Sequence, residues 1–140
     1  MTEWNKMVPE LTVENFDASL DFYTRVLGFR VVHRREGFVY LDRDGAQLML
    51  EAQHAEGWHT AALERPLGRG LNLQIEVQDI DALCARVRGT GTVLFRELKE
   101  TWYRVSAASE EGQKEFLVQD PDGFLLRFSE PLGSRPLVQV

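Results

Sequence analysis

Hydrophobic and polar positions along the 140-residue chain follow two periods, and each switch between them marks an element. Residues 7–13 read as a strand, with Pro9 near its start, where a missing amide donor is tolerated. Phe16, Leu20, Tyr23 and Leu27 then recur at helical spacing. Asn15 stands at the N-cap of that helix, Asp17 in its dipole-favoured first turn, and Gly28 at its left-handed stop. Strands follow over 30–35, 38–42 and 47–52, with Gly37 and Asp44-Gly45 supplying tight turns. The first half reads βαβββ.

Residues 53–69 break this rhythm. They are polar and hold His54, Gly57, Trp58, His59, Pro66 and Gly68, which predicts a long connector with a short helix over 60–64. A connector of this length in a compact chain is more often functional or disordered than idle. Residues 71–77 form the next strand. Asp79 caps a second helix with Ile80, Leu83, Cys84 and Val87 on its inner face, ended by Gly89 and Gly91. Strands are expected over 92–98, 103–108, 115–119 and 124–129. The last two flank Asp120-Pro121-Asp122-Gly123, a turn whose Pro presets φ and whose Gly accepts a positive φ. Residues 130–140, with Pro131, Gly133 and Pro136, read as a tail lying on the surface or on a partner.

The second half repeats the first. Val13-Glu14-Asn15-Phe16-Asp17 lines up with Val77-Gln78-Asp79-Ile80-Asp81 at a constant offset, and each copy then runs through a helix, a glycine stop and strands. A βαβββ unit does not close its own sheet. The prediction is therefore an α+β fold of two paired βαβββ modules forming one cupped mixed sheet around a cavity. Its single domain spans 1–140: module one over 7–52, connector 53–69, module two over 70–129, and tail 130–140.

Composition narrows the function. A formal charge of −6 argues against a nucleic-acid binder, which needs a basic face, and is compatible with a cationic ligand. The lone Cys84 excludes an internal disulfide and fits a reducing cytoplasm; on the inner helix face it packs rather than reacts. No apolar run reaches membrane length and no signal segment opens the chain, so the expectation is a cytoplasmic protein without a membrane partner. Gly68-Arg69-Gly70 lacks the strand-to-helix context of a phosphate loop, and Arg34-Arg35 reads as a solvated face.

The residues Asn15 through Tyr23, Leu27-Gly28-Phe29, Leu48-Met49-Leu50-Glu51, Gly70 through Val77 with Asp79-Ile80-Asp81, and Asp120 through Phe124 resemble the vicinal oxygen chelate superfamily. This is the glyoxalase and bleomycin-resistance-protein fold, which hosts lyases, dioxygenases, epimerases and non-catalytic antibiotic binders. The resemblance places the superfamily's metal-ligand positions on Val8, Asn72, Arg127 and, for a glutamate used by some members, Glu51. Valine cannot ligate, a neutral amide is a poor ligand, and a guanidinium repels a cation. Without its Lewis acid the superfamily's chemistry is lost. The resemblance then implies the bleomycin-resistance-like branch: a homodimer without metal or other cofactor that sequesters a small cationic or planar molecule, such as a glycopeptide antibiotic. The tryptophan that stacks ligand in that branch falls at Glu111-Gly112, leaving Trp102 and Tyr103 as candidates for its role.

The expected ligand-binding set is Phe38, Tyr40, Met49, Glu51, Trp58, Asn72, Trp102, Tyr103 and Arg127. The aromatics supply stacking surface, Glu51 a partner for a cation, and Arg127 a clamp for an anion or a partner for Glu51. The rival reading is a metal-dependent lyase or dioxygenase using Glu51 and a loop histidine, His54 or His59. A third is a non-catalytic regulatory module.

Overall fold

The computed structural model describes residues Glu3 to Val138. Its elements run β1 (Glu10–Val13), α1 (Phe16–Asp21), β2 (Arg30–Arg35), β3 (Phe38–Arg43), β4 (Ala46–Ala52), β5 (Asn72–Glu76), α2 (Ile80–Gly89), β6 (Arg96–Arg104), β7 (Ser109–Gln119) and β8 (Leu125–Pro136). This is the expected α+β arrangement of two βαβββ modules. The chain divides into two compact units, one of residues up to Leu71 with Gln119–Phe124, the other of Asn72–Val118 with the segment from Leu125.

In the first unit the sheet order is β1-β4-β3-β2, with β1 parallel to β4 and the other pairs antiparallel. Asn15 accepts from the Ala18 amide at 3.1 Å and so satisfies one orphan donor of α1. The helix widens into a π-helical segment over Phe22–Val26 and ends at Gly28, φ +83°. Strand alternation sends Leu11, Val13, Val39, Leu41, Leu48 and Leu50 to the face on which α1 packs, where all are buried with Tyr23 and Leu27. Each such side chain contributes about 1.5–3 kcal/mol by leaving water.

In the second unit the order is β5-β8-β7-β6, and β5 runs parallel to β8. Asp79 caps α2 through the Ala82 amide at 3.2 Å, repeating the chemistry of Asn15 at the register that the repeat gives. Ile80, Leu83, Cys84 and Val87 are buried as their spacing predicts, as are Phe116, Val118, Leu126 and Phe128 of the sheet. The Phe116 and Phe128 rings stack at 5.3 Å.

Three elements differ from their expectation. First, the strands expected over 92–98 and 103–108 are a single strand, β6, which starts at Arg96 and ends at Arg104, and a turn follows. Ser106 Oγ accepts from the Ala108 and Ser109 amides, while the Arg104 guanidinium donates to the Ser106 and Ala107 carbonyls. These local polar contacts outweigh the β-propensity of Val105. Second, 130–136 is strand rather than tail, because β8 continues to Pro136; Gln139 and Val140 lie outside the described residues. Pairing of β8 with β5 stops at Ser129, so Pro131 deprives no ladder on that side of a donor. Arg135 fixes the extension by bonding Glu110 at 2.6 Å and lying 3.7 Å over the Trp102 ring. Third, no helix forms over 60–64; five residues make too short a nucleus, and the connector is held by other contacts.

Candidate functional site

The face of the first-unit sheet opposite α1 carries a different chemistry. The register aligns Glu10 with Met49 and Met49 with Tyr40, and Thr12 with Glu51 and Glu51 with Phe38; β2 adds His33 and Arg35. One face therefore presents carboxylates, a thioether, two aromatic rings and a guanidinium.

The two carboxyl groups of Glu10 and Glu51 are hydrogen-bonded to each other. Burial and the neighbouring Glu51 carboxyl push the Glu10 carboxyl above its ordinary range, against the pull of Arg35 and His54. Hydrogen bonds from His54 and Glu10 hold Glu51 below that range. His54 Nε2 lies 3.0 Å from Glu51 Oε1. Its Nδ1 accepts the Glu56 amide at 3.2 Å, so Nε2 is the nitrogen that donates to Glu51. Of the pair, Glu10 is thus the harder to ionise and Glu51 the easier, and a nearby cation favours the charged form of both.

The connector overhangs this face and is fixed at both ends. His54 holds the first. At the second, Arg65 reaches Glu14 at 2.9 Å, Asp122 at 3.0 Å and the Pro121 carbonyl at 2.6 Å. The Leu67 amide donates to the Asp122 carbonyl at 2.8 Å, and the Leu67 side chain is buried. Gly123 faces Pro66 so closely that an added Cβ would sit 2.4 Å from the proline Cβ, and its φ of +102° excludes other residues independently. The turn itself is built on Asp120, whose Oδ1 accepts the Asp122, Gly123 and Phe124 amides, each at 2.9 Å, while Tyr23 donates to Oδ2 at 2.8 Å.

Between the two anchors stands Trp58, 96% exposed. It borders an open cavity of about 380 Å³ lined by Glu10, Arg35, Glu51, His54 and Glu56, and a second of about 490 Å³ lined by Thr12, Phe124 and the connector from His59 onward. Both volumes suit a small ligand or part of a larger one.

The other expected residues divide. Phe38 is buried and its ring is covered by the Arg35 guanidinium at 3.9 Å. Tyr40 donates to Gln47 Oε1 at 2.7 Å and meets Trp4 in a perpendicular contact at 4.7 Å. Met49 is half-buried beside Glu10. Asn72, Trp102, Tyr103 and Arg127 belong to the second unit. There Arg127 Nε donates to Glu115 at 2.8 Å, so it does not serve Glu51, whose partners are His54 and Glu10. Trp102 lies across Gly112, where an added Cβ would come within 2.5 Å of the indole, and its other neighbours are Arg135 and Glu100. Trp102 therefore occupies the Gly112 position from the adjacent strand, while Tyr103, the next residue along β6 and 46% exposed, points to the opposite face. Asn72 is exposed at the start of β5.

Glu10 and Trp4 are functional candidates that the sequence reading missed. Glu10 shares the alternation of Thr12 and so was recoverable from the strand period; Trp4 precedes every periodic segment and carried no signal.

The four metal positions do not supply a donor set. Val8 is aliphatic, Asn72 is neutral and Arg127 is cationic, which leaves Glu51. Among the described residues no three His, Cys, Asp or Glu side chains are grouped to hold a metal ion. Likewise, no described helix is long and apolar enough to cross a membrane.

Comparison with known proteins places this geometry in a family. The bleomycin resistance protein of Geobacillus stearothermophilus is 28% identical over 136 residues, covering 91% of this chain and 97% of that protein. The lactoylglutathione lyase of Neisseria meningitidis serogroup A is 28% identical over 126 residues, covering 84% of each. In fold, the chain is similar to TioX from Micromonospora sp. ML1 (TM-score 0.70, 22% identity, 91% of this chain and 100% of that one). It is also similar to a glyoxalase/bleomycin resistance protein/dioxygenase from Alicyclobacillus acidocaldarius (TM-score 0.65, 20% identity, 94% and 96%). The family model itself matches residues 7–128, and the chain belongs to the Glyoxalase/Bleomycin resistance protein/Dioxygenase superfamily.

Proposed function

We propose that this protein binds and sequesters a small cationic or planar molecule, such as a glycopeptide antibiotic, without a metal and without turning it over. The observation that carries the proposal is the Glu10–Glu51 pair lying under a fully exposed Trp58 in an open cavity. A cation gains from the carboxylates and a planar group from the indole. The bleomycin resistance relative supports the same reading. In this account the ligand set expected from the sequence is used unevenly. Glu51, Trp58 and Met49 face the ligand, Phe38 and Tyr40 form the floor beneath it, and Asn72, Tyr103 and Arg127 line the second unit's sheet. The protein acts as a cytoplasmic homodimer.

Calorimetric titration with bleomycin and with planar aromatic cations tests this. Saturable binding is expected, weakened at least tenfold, about 1.4 kcal/mol, by Trp58→Ala. Equal affinity in that variant would remove the cavity from the account. One observation favours the metal-dependent lyase or dioxygenase instead: Glu51 and His54 stand 3.0 Å apart, and lyases are among the relatives. Stoichiometric zinc, iron or manganese in the purified protein would favour that reading.

A further inference from the structure

We infer that Trp4 is a second aromatic wall of the ligand site and that Gln47 is the residue that positions it. The inference rests on the sequestration reading and deepens it by naming a ligand with an extended planar part.

The argument begins with Gln47, which is 7% exposed and uses all of its hydrogen-bonding capacity. Its Nε2 donates to the Glu3 carbonyl at 2.7 Å and to Asp42 Oδ1 at 3.0 Å. Its Oε1 accepts the Asn5 amide at 2.9 Å and the Tyr40 hydroxyl at 2.7 Å. Asn5 adds a side-chain bond to the Gly45 carbonyl at 2.7 Å. The backbone is thus clamped immediately before and immediately after Trp4. Between those clamps the indole stands perpendicular to Tyr40 and stays 59% exposed. A segment that served only to cover the sheet would bury its largest side chain; this one spends a saturated, buried glutamine on holding a tryptophan in water.

The position is specific. Tyr40 lies directly across from Met49, and Glu51 is two residues along β4 on the same face. Two residues of strand span roughly 6–7 Å. Trp4 therefore stands at the Tyr40 end of this face and Trp58 at the Glu10–Glu51 end, with Met49 between the two ends. Two aromatic groups on a face that carries negative charge suit a cation with a planar ring system. Because the segment is already ordered, little conformational entropy is lost when the ligand stacks.

Equilibrium dialysis with bleomycin and with proflavine, a planar cation, tests the inference in the wild type and in Trp4→Ala, Trp4→Phe, Gln47→Leu and Trp58→Ala. Trp4→Ala is expected to weaken binding at least tenfold, Trp4→Phe to stay within about threefold, and Gln47→Leu to approach Trp4→Ala although Gln47 does not reach the ligand. Circular dichroism checks the fold of Gln47→Leu, and Asn5→Ala repeats the loosening without touching the buried network. In the Trp58→Phe/Trp102→Phe protein, whose remaining tryptophan is Trp4, proflavine should quench the emission saturably. Wild-type affinity in Trp4→Ala alongside loss in Trp58→Ala would overturn the role of Trp4 and leave sequestration standing. Failure of the wild type to take up either probe would overturn both.

Discussion

At the scale of single residues, the informative feature is a carboxyl pair whose two members are pushed in opposite directions. Glu10 has its carboxyl pushed up by burial first and by Glu51 second. A group whose folded-state pKa is raised favours the fold while protonated, and that contribution is lost as pH rises through the raised value. Glu10→Gln should therefore leave stability unchanged below the ordinary glutamate range and raise it only slightly at neutral pH, by at most about 0.5 kcal/mol at this exposed, solvent-screened site. Urea titrations at pH 3.5 and pH 7.5 measure this, and the same variant should bind aromatic cations more weakly. A gain in stability with a loss of affinity marks a residue kept for the ligand. Glu51 was legible in the sequence because it interrupts an apolar run. Its partner was not: a glutamate at the first position of a four-residue strand looks like a solvated end until the register places Met49 beside it.

At the scale of elements, the Asp120 turn holds the connector as well as joining β7 to β8. Asp120→Ala leaves the buried Tyr23 hydroxyl and the turn amides without their acceptor, and should cost roughly 2–4 kcal/mol in denaturant unfolding. Asp120→Asn keeps an acceptor at Oδ1 and should cost less. Burial is the largest influence on the Asp120 carboxyl and raises it, so the wild type loses stability as pH climbs from the ordinary aspartate range through that raised value. In Asp120→Asn this slope should vanish. The hairpin, both helix caps and the buried helix faces were readable because each depends on residues a few positions apart. The turn over 105–108 and the long β8 were not, because they rest on serine-to-backbone contacts and on Arg135 reaching Glu110 and Trp102. Propensity carries no record of such partners.

At the scale of the whole molecule, the repeat announces the fold. Two caps at one constant offset, each followed by the same order of elements, are enough to specify two βαβββ modules, and the family match over residues 7–128 agrees. The site was less legible, since a binding face gathers residues by strand register rather than by sequence spacing. Glu10, Met49, Tyr40 and Phe38 meet across three strands, and Trp4 joins them through a glutamine more than forty residues away. Assembly gives a separate prediction. The homodimer should show a light-scattering mass near twice 16.1 kDa, and a monomer mass at micromolar concentration would count against it. Binding without metal chemistry is the central claim, and one experiment bears on it most directly. The protein is stripped with a strong chelator, incubated with bleomycin, and the ligand is recovered and weighed by mass spectrometry. The account predicts saturable binding of up to one molecule per protomer and a ligand returned with its mass unchanged. Binding that appears only when zinc, iron or manganese is restored, or a recovered ligand of altered mass, would contradict it.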